Sequence, residues 1–200
     1  MDERQNSIRM VSKYKIILAS GSPRRKELLD GLGLNYEVRL LPDIDESYDE
    51  ALSGEDIPIA ISRKKSDAYR GTITRDELVI TADTIVYLDG EVLGKPHSEE
   101  DARMMLRKLS GRTHEVITGV TLLTTEFQRS FACTTRVTFA RLTEEEIMHY
   151  VSHYHPMDKA GSYGVQEWIG YIGVTNIDGS YYNVMGLPVQ RLYTELKKII

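Results

Sequence analysis

The sequence has little cysteine, no long apolar run and no excess of positive charge. Its 200 residues include one cysteine, Cys133, which excludes an intramolecular disulfide and a cysteine-rich zinc site and fits a reducing, cytoplasmic compartment. No apolar stretch approaches the roughly 18 residues of a membrane span. A net charge of −5 argues against a dedicated nucleic-acid binder but leaves room for a small anionic substrate. We therefore expect neither DNA nor a membrane as a partner.

Two common nucleotide-binding motifs are also missing. The chain contains no G-x-x-x-x-G-K-[ST] and no G-x-G-x-x-G, so it has neither a P-loop nor a Rossmann fingerprint. Its histidines lack the H-E-x-x-H spacing of a metal-binding helix. Cys133 could be a nucleophile, but its strand-like surroundings favour a small apolar packing residue.

The distribution of apolar residues indicates an α/β protein with a mixed sheet. Residues 1–13 are polar and predict a flexible leader rather than a signal peptide, and residues 14–200 predict a single domain. Strands and helices mix along the whole chain, with hairpins as well as crossovers. The predicted strands are 14–19, 36–41, 78–88, 91–93, 114–125, 129–142 and 168–177. The predicted helices follow Ser22-Pro23 and span 53–70, 98–109, 143–154 and 187–200.

The turn after the first strand is a candidate anion site. A helix N-terminus presents free N–H groups and a partial positive charge. Here it also carries the hydroxyls of Ser20 and Ser22 and the cations Arg24, Arg25 and Lys26. Cations oppose the helix dipole at this end, so a bound anion would explain them. The alternative is a solvated basic turn.

Asp83 stands out because it interrupts an apolar strand. A carboxylate there is costly to bury unless it is paired, hydrogen-bonded or metal-bound. It suits a general base or a ligand for a hard divalent cation. The alternatives are a strand-end position or a structural salt bridge.

Four further residues are weaker candidates on their own. Lys65 lies on a predicted helix, where lysines are usually solvated, whereas Lys95 is fixed in a loop by flanking glycine and proline and could be a phosphate counter-charge. Glu46 belongs to an acidic loop that could complete a metal shell or could be merely polar. Gln166 could read a base edge or could be a surface amide.

Together these segments resemble the Maf family, also called septum formation inhibitor-like proteins. The resemblance covers nearly the whole chain from Tyr14 and rests on seven segments in the family's order. They are Leu18-Ala19-Ser20-Gly21-Ser22-Pro23-Arg24-Arg25, Asp45-Glu46-Ser47, Ala82-Asp83-Thr84-Ile85-Val86, Leu93-Gly94-Lys95-Pro96, Leu109-Ser110-Gly111-Arg112-Thr113-His114, Asp158-Lys159-Ala160-Gly161-Ser162-Tyr163-Gly164-Val165-Gln166 and Asn183-Val184-Met185-Gly186-Leu187-Pro188.

The resemblance implies a metal-dependent enzyme that hydrolyses nucleoside triphosphates to the monophosphate and pyrophosphate, using Mg²⁺ or Mn²⁺. The implied fold is similar to that of the inosine-triphosphate pyrophosphatases, with an elongated mixed sheet flanked by helices and two lobes around a cleft. Family members are typically cytoplasmic and often homodimeric. Two alternatives stay open: a non-catalytic, nucleotide-sensing regulator of cell division, and the removal of modified pyrimidine nucleotides.

The resemblance also implies roles for single residues. Asp83 matches the proton acceptor, and Glu46 matches an acidic position near the metal, for which both are candidate ligands. The phosphate-site positions are matched by Ser20, Arg24, Lys65 and Lys95. Positions tied to substrate choice are matched by Arg25, Thr84 and Gln166, as in the branch acting on dTTP and UTP. One departure is Glu167-Trp168 where the family usually has glycine after the glutamine, which affects the predicted shape of the base pocket.

Overall fold

A computed structural model of the protein describes residues 13–199. The leader predicted over residues 1–13 therefore lies outside the described residues except for Lys13, and so does Ile200 at the end of the last predicted helix.

Residues 13–199 form seven strands, seven helices and one 3₁₀ turn. The strands are β1 (Lys15–Leu18), β2 (Tyr36–Val38), β3 (Glu77–Leu88), β4 (Glu91–Leu93), β5 (Thr113–Leu123), β6 (Gln128–Phe139) and β7 (Val174–Asp178). The helices are α1 (Pro23–Asp30), α2 (Asp56–Asp67), α3 (Glu99–Leu109), α4 (Glu144–Tyr154), α5 (Trp168–Gly173), α6 (Tyr181–Met185) and α7 (Val189–Leu196), and the 3₁₀ turn is Ala160–Ser162.

The strands form one mixed sheet in the order β2-β1-β3-β5-β6-β7, with β4 also pairing with β3. β1 runs parallel to both β2 and β3, whereas the other pairs are antiparallel. The hairpin from β3 to β4 turns at Asp89 and Gly90, which both have positive φ, as a tight two-residue hairpin requires. The predicted α/β class with a mixed sheet is confirmed.

The two faces of the long strand β3 have different neighbours. Alternate side chains point to opposite faces of a strand. Ile85 packs with Ile57 and Ile61 of α2, whereas Ile80 and Val86 belong to the main core with residues of α3, α4 and α7. Each of these apolar side chains contributes roughly 1.5–3 kcal/mol when fully buried. Asp83 therefore faces α2, and its neighbour Thr84 faces the other way.

Local capping signals place several helix starts. Ser22 caps α1 by accepting a hydrogen bond from the Arg25 amide, with Pro23 as the first helical residue. Thr143 and Glu146 form the predicted capping box of α4. The predicted start of the second helix at Ser53 is wrong, because α2 begins at Asp56 and its cap, Glu55, makes no side-chain capping bond.

The prediction of one extended segment over residues 168–177 is wrong in its first half. Trp168–Gly173 is the helix α5, and only Val174–Asp178 forms a strand. A Cβ atom on Gly170 would lie 1.8 Å from the carbonyl oxygen of Val165. This close approach of two backbone segments depends on glycine and on tertiary packing, which apolar periodicity does not register. None of the helices in residues 13–199 is long and apolar enough to cross a bilayer.

Candidate active site

The cleft opens where the sheet forks beside β3. On one side of β3, β1 pairs with its first part as far as Ile80, and β4 pairs with its last part from Val86. Residues 81–85 lie alongside neither strand, while β5 pairs with β3 along the other side. Asp83 occupies the middle of this stretch, so the strand-end alternative for this carboxylate is wrong.

Asp83 is paired with Lys65 from α2. The Lys65 ammonium lies 2.8 Å from Asp83 Oδ1 and 3.1 Å from Glu46 Oε1. The side chains of Lys65 and Asp83 are only 13% and 14% exposed, whereas Glu46 is 55% exposed. The lysine thus compensates a largely buried carboxylate, which would otherwise be strongly destabilising.

Arg25 is held in the cleft by neutral oxygen atoms. Its guanidinium donates to the Gly186 carbonyl at 2.9 Å, to Thr84 Oγ1 at 3.2 Å and to Ser20 Oγ at 3.3 Å. Burial lowers the pKa of Arg25, although the nearby carboxylate of Asp83 raises it. These bonds tie α1 to β3 and to the end of α6, and they fix the direction of the guanidinium.

Arg24 begins a chain of alternating charges. It donates to Asp158 Oδ2 at 2.7 Å, and the other oxygen of Asp158 accepts from Lys159 at 2.8 Å. Lys159 also lies 3.1 Å from Glu167, which accepts a hydrogen bond from the Tyr150 hydroxyl. Burial raises the pKa of Asp158, but the hydrogen bonds from Lys159 and Arg24 outweigh it and lower the pKa to about 2.

Two of the predicted site residues, Lys95 and Gln166, carry a polar group that has no partner within residues 13–199. Lys95 lines the cleft, and its ammonium forms no ion pair or hydrogen bond there. The Oε1 atom of Gln166 is buried in the same cleft without a hydrogen bond. The exposed Lys95 can pair with an anion without breaking an existing ion pair, and Gln166 Oε1 lacks the partner that buried polar atoms usually have.

The cleft consists of two adjoining chambers. The inner one, of about 130 Å³, is lined by Asp83, Thr84 and Gln166. The outer one, of about 570 Å³, is lined by Ser20 and Glu46 and falls in the roughly 300–1,000 Å³ range of ligand sites. Six residues line both chambers: Ser22, Arg24, Arg25, Lys65, Lys95 and Asp158.

The structure thus brings every predicted site residue into one cleft, and their chemical roles stay predictions. Sequence reasoning assigned no role to Asp158 and Lys159, although both lie in a segment that carried the family resemblance. It also missed Asn183, which is fully buried and whose amide donates to the carbonyls of Val116 and Cys133. These two bonds anchor α6, which ends just before Gly186, to the sheet.

The donor set limits which metal the cleft suits. Across residues 13–199, no group of three or more histidine, cysteine, aspartate or glutamate side chains converges on a point. Two carboxylates, Asp83 and Glu46, do lie around a common cation, the Lys65 ammonium. An ion that keeps several waters, such as Mg²⁺, needs only one or two protein carboxylates, so these residues fit such an ion.

Comparison with known proteins identifies the family. The model of the Maf-like protein family matches residues 15–199. A dTTP/UTP pyrophosphatase of Phocaeicola vulgatus is 67% identical over 94% of this chain and 98% of its own. A dTTP/UTP pyrophosphatase of Bacteroides thetaiotaomicron is 64% identical, also over 94% of this chain and 98% of its own.

A solved structure shares the fold. The HAM1 protein of Coxiella burnetii superposes with a TM-score of 0.51 at 16% identity, over 92% of this chain and 99% of that one. The family match spans nearly every described residue, and it includes the fork of the sheet and all the residues that line the cleft. The chain belongs to the Maf family.

Proposed function

We propose that this protein is a nucleoside triphosphate pyrophosphatase that hydrolyses dTTP and UTP to the monophosphate and pyrophosphate. The observation that carries the proposal is the Asp83–Lys65 pair at the fork of the sheet, with further cations around the same cleft. Two relatives named dTTP/UTP pyrophosphatase, 67% and 64% identical to this chain, support the choice of substrates.

The cleft has the charge that a triphosphate needs. Arg24, Lys65 and Lys95 line both chambers, and the capped N-terminus of α1 lies beside them. Charge-assisted hydrogen bonds from such groups to phosphate oxygens are stronger than neutral ones. The unpartnered Lys95 is the group most readily recruited, because it breaks no existing ion pair.

Hydrolysis between the α- and β-phosphates needs a base and a stabilised leaving group. Asp83 accepts the proton of a water molecule as that water's oxygen bonds to the α-phosphorus. The bond from the α-phosphorus to the bridging oxygen then breaks, and pyrophosphate leaves with the electron pair. Lys65 and Lys95 stabilise the negative charge that develops on the phosphate oxygens.

A divalent cation fits the carboxylates of Asp83 and Glu46, which would hold Mg²⁺ or Mn²⁺ together with water. When bound, such an ion neutralises phosphate charge and acidifies a bound water. Since Lys65 contacts both carboxylates, its ammonium keeps them close together.

Gln166 is suited to recognise the base. Uracil and thymine carry an N–H between two carbonyl groups, and the buried, unpartnered Oε1 of Gln166 can accept that hydrogen. Cytosine has an unprotonated nitrogen at the same ring position. Thr84 and Arg25, hydrogen-bonded to each other beside it, complete this end of the cleft.

The experiment is a substrate survey with the purified full-length chain. Each nucleoside triphosphate, including modified pyrimidine nucleotides, is incubated with Mg²⁺ or Mn²⁺ and with EDTA, and pyrophosphate is measured. We expect release from dTTP and UTP that depends on the metal. Release from none of them would leave the nucleotide-sensing regulator as the better proposal. A cytoplasmic location and a homodimer belong to the same proposal and are tested by fractionation and by light scattering.

A further inference from the structure

One residue of the candidate phosphate site is already occupied by a carboxylate of the protein itself. Arg24 lies at the start of α1, and Asp158 precedes the 3₁₀ turn, yet Arg24 Nη1 and Asp158 Oδ2 are only 2.7 Å apart. Both residues line the inner and the outer chamber. This ion pair therefore borders the space of a ligand that extends from one chamber to the other.

Asp158 keeps a second counter-ion when Arg24 is taken away from it. Its other oxygen, Oδ1, accepts from the ammonium of Lys159 at 2.8 Å. The Lys159 side chain is only 9% exposed, whereas that of Asp158 is 58% exposed. An uncompensated buried charge would be strongly unfavourable. When a phosphate replaces Asp158 on Arg24, Lys159 still pairs with Asp158, so no such charge is left.

Lys159 is itself held in place by a second carboxylate, that of Glu167. Glu167 lies 3.1 Å from its ammonium and also accepts a hydrogen bond from the Tyr150 hydroxyl. Gly164 provides the space, because a Cβ atom there would lie 2.9 Å from the Glu167 carboxyl carbon and 3.1 Å from Lys159 Cε. The exposed Asp158 is thus the movable member of a chain whose inner members are held in place.

We propose that Asp158 is an internal anion that competes with the ligand's phosphates for Arg24 and so weakens the binding of every polyphosphate that uses this arginine. The inference rests on the proposed function, in which Arg24 holds a phosphate. Its consequence is product release: after cleavage, Asp158 recaptures Arg24 and displaces pyrophosphate. Asp158 is then a residue that sets ligand affinity without touching the reacting atoms.

The test compares pyrophosphate binding to wild type and to Asp158→Asn by calorimetry, in one Mg²⁺-containing buffer. The neutral amide competes poorly for Arg24, so we expect the Kd for pyrophosphate to fall roughly three- to tenfold, as for one partly exposed ion pair. The KM for UTP is expected to fall in the same direction. Asp158→Glu restores the charge and is expected to bind like wild type. Asp89→Asn is the matched control, because it removes an exposed carboxylate that is paired with Arg112 and lines neither chamber.

The outcomes separate this inference from the proposed function. Unchanged or weaker binding of pyrophosphate by Asp158→Asn overturns the competition, and so does undetectable binding by both proteins. Thermal melting and the binding stoichiometry report whether the variant is folded, and the Kd is read from the folded fraction. If wild type hydrolyses no nucleotide, the proposed function fails, while the pyrophosphate comparison still decides the role of Asp158.

Discussion

Gly119 lies directly opposite Asp83 in the ladder between β3 and β5, and its missing side chain lets α2 approach the sheet. A Cβ atom on Gly119 would lie 2.4 Å from both the carbonyl carbon and the carbonyl oxygen of Pro58. The same helix carries Lys65, whose ammonium reaches Asp83. A glycine distant from Lys65 in sequence thus allows the close packing of the helix that carries Lys65 against the strand next to Asp83.

Gly119→Ala is expected to impair both stability and turnover. The added methyl group forces α2 away from the sheet, which at a tightly packed contact destabilises by about 1–3 kcal/mol. Moving Lys65 away from Asp83 lowers turnover as well. Urea unfolding and pyrophosphate release from UTP measure the two effects.

Gly71→Ala is the matched control for that variant. A Cβ atom there meets nothing within 4 Å, so stability and turnover should stay near wild type. Normal turnover by Gly119→Ala would contradict the link between the helix position and the ion pair.

Gln166→Leu is expected to separate stability from substrate recognition. The buried Oε1 atom has no partner, so an apolar side chain of similar size should leave the free energy of unfolding unchanged or raise it. The same change removes the acceptor for the base N–H, and the kcat/KM for UTP should fall by about tenfold or more. A loss of stability with unchanged preference for UTP over CTP would show that Gln166 is structural.

His114 makes stability depend on pH. Burial lowers its pKa to about 4, from about 6.5 in the unfolded chain. Between these pH values the unfolded state binds a proton that the native state excludes. The contribution of His114 to the free energy of unfolding is therefore fully present above pH 6.5 and is lost as the pH falls towards 4. The loss is about 3 kcal/mol.

His114→Gln removes this titration and should flatten the curve of unfolding free energy between pH 6.5 and 4. The amide can still bond to the Tyr163 hydroxyl, which contacts the imidazole at 2.7 Å. His97→Gln, at an exposed site, should keep the wild-type slope. An unchanged slope in His114→Gln would show that other groups set the acid sensitivity.

The sequence predicts best those parts of the fold that are determined by residues close together in the chain. Ser22-Pro23 and the box of Thr143 and Glu146 mark helix starts because a cap is completed within a few residues. The helix at Trp168–Gly173 is not predicted because it has no side-chain cap and its four larger residues, two isoleucines, a tryptophan and a tyrosine, favour strands.

In the candidate site, too, the sequence does not predict contacts between residues that are distant in the chain. The family resemblance brought together the residues of the cleft, but the pairing of Arg24 with Asp158 joins positions 134 apart in the chain. The position of Gly119 opposite Asp83 depends on strand register, which sequence alone does not specify here.

Single-turnover hydrolysis of UTP by Asp83→Asn tests most directly whether Asp83 activates the water that cleaves the triphosphate. We predict a loss of at least about a hundredfold in the rate of pyrophosphate release, the order expected for a general base. Asp89→Asn, assayed beside it, should keep the wild-type rate. A rate near that of wild type in folded Asp83→Asn would contradict the account.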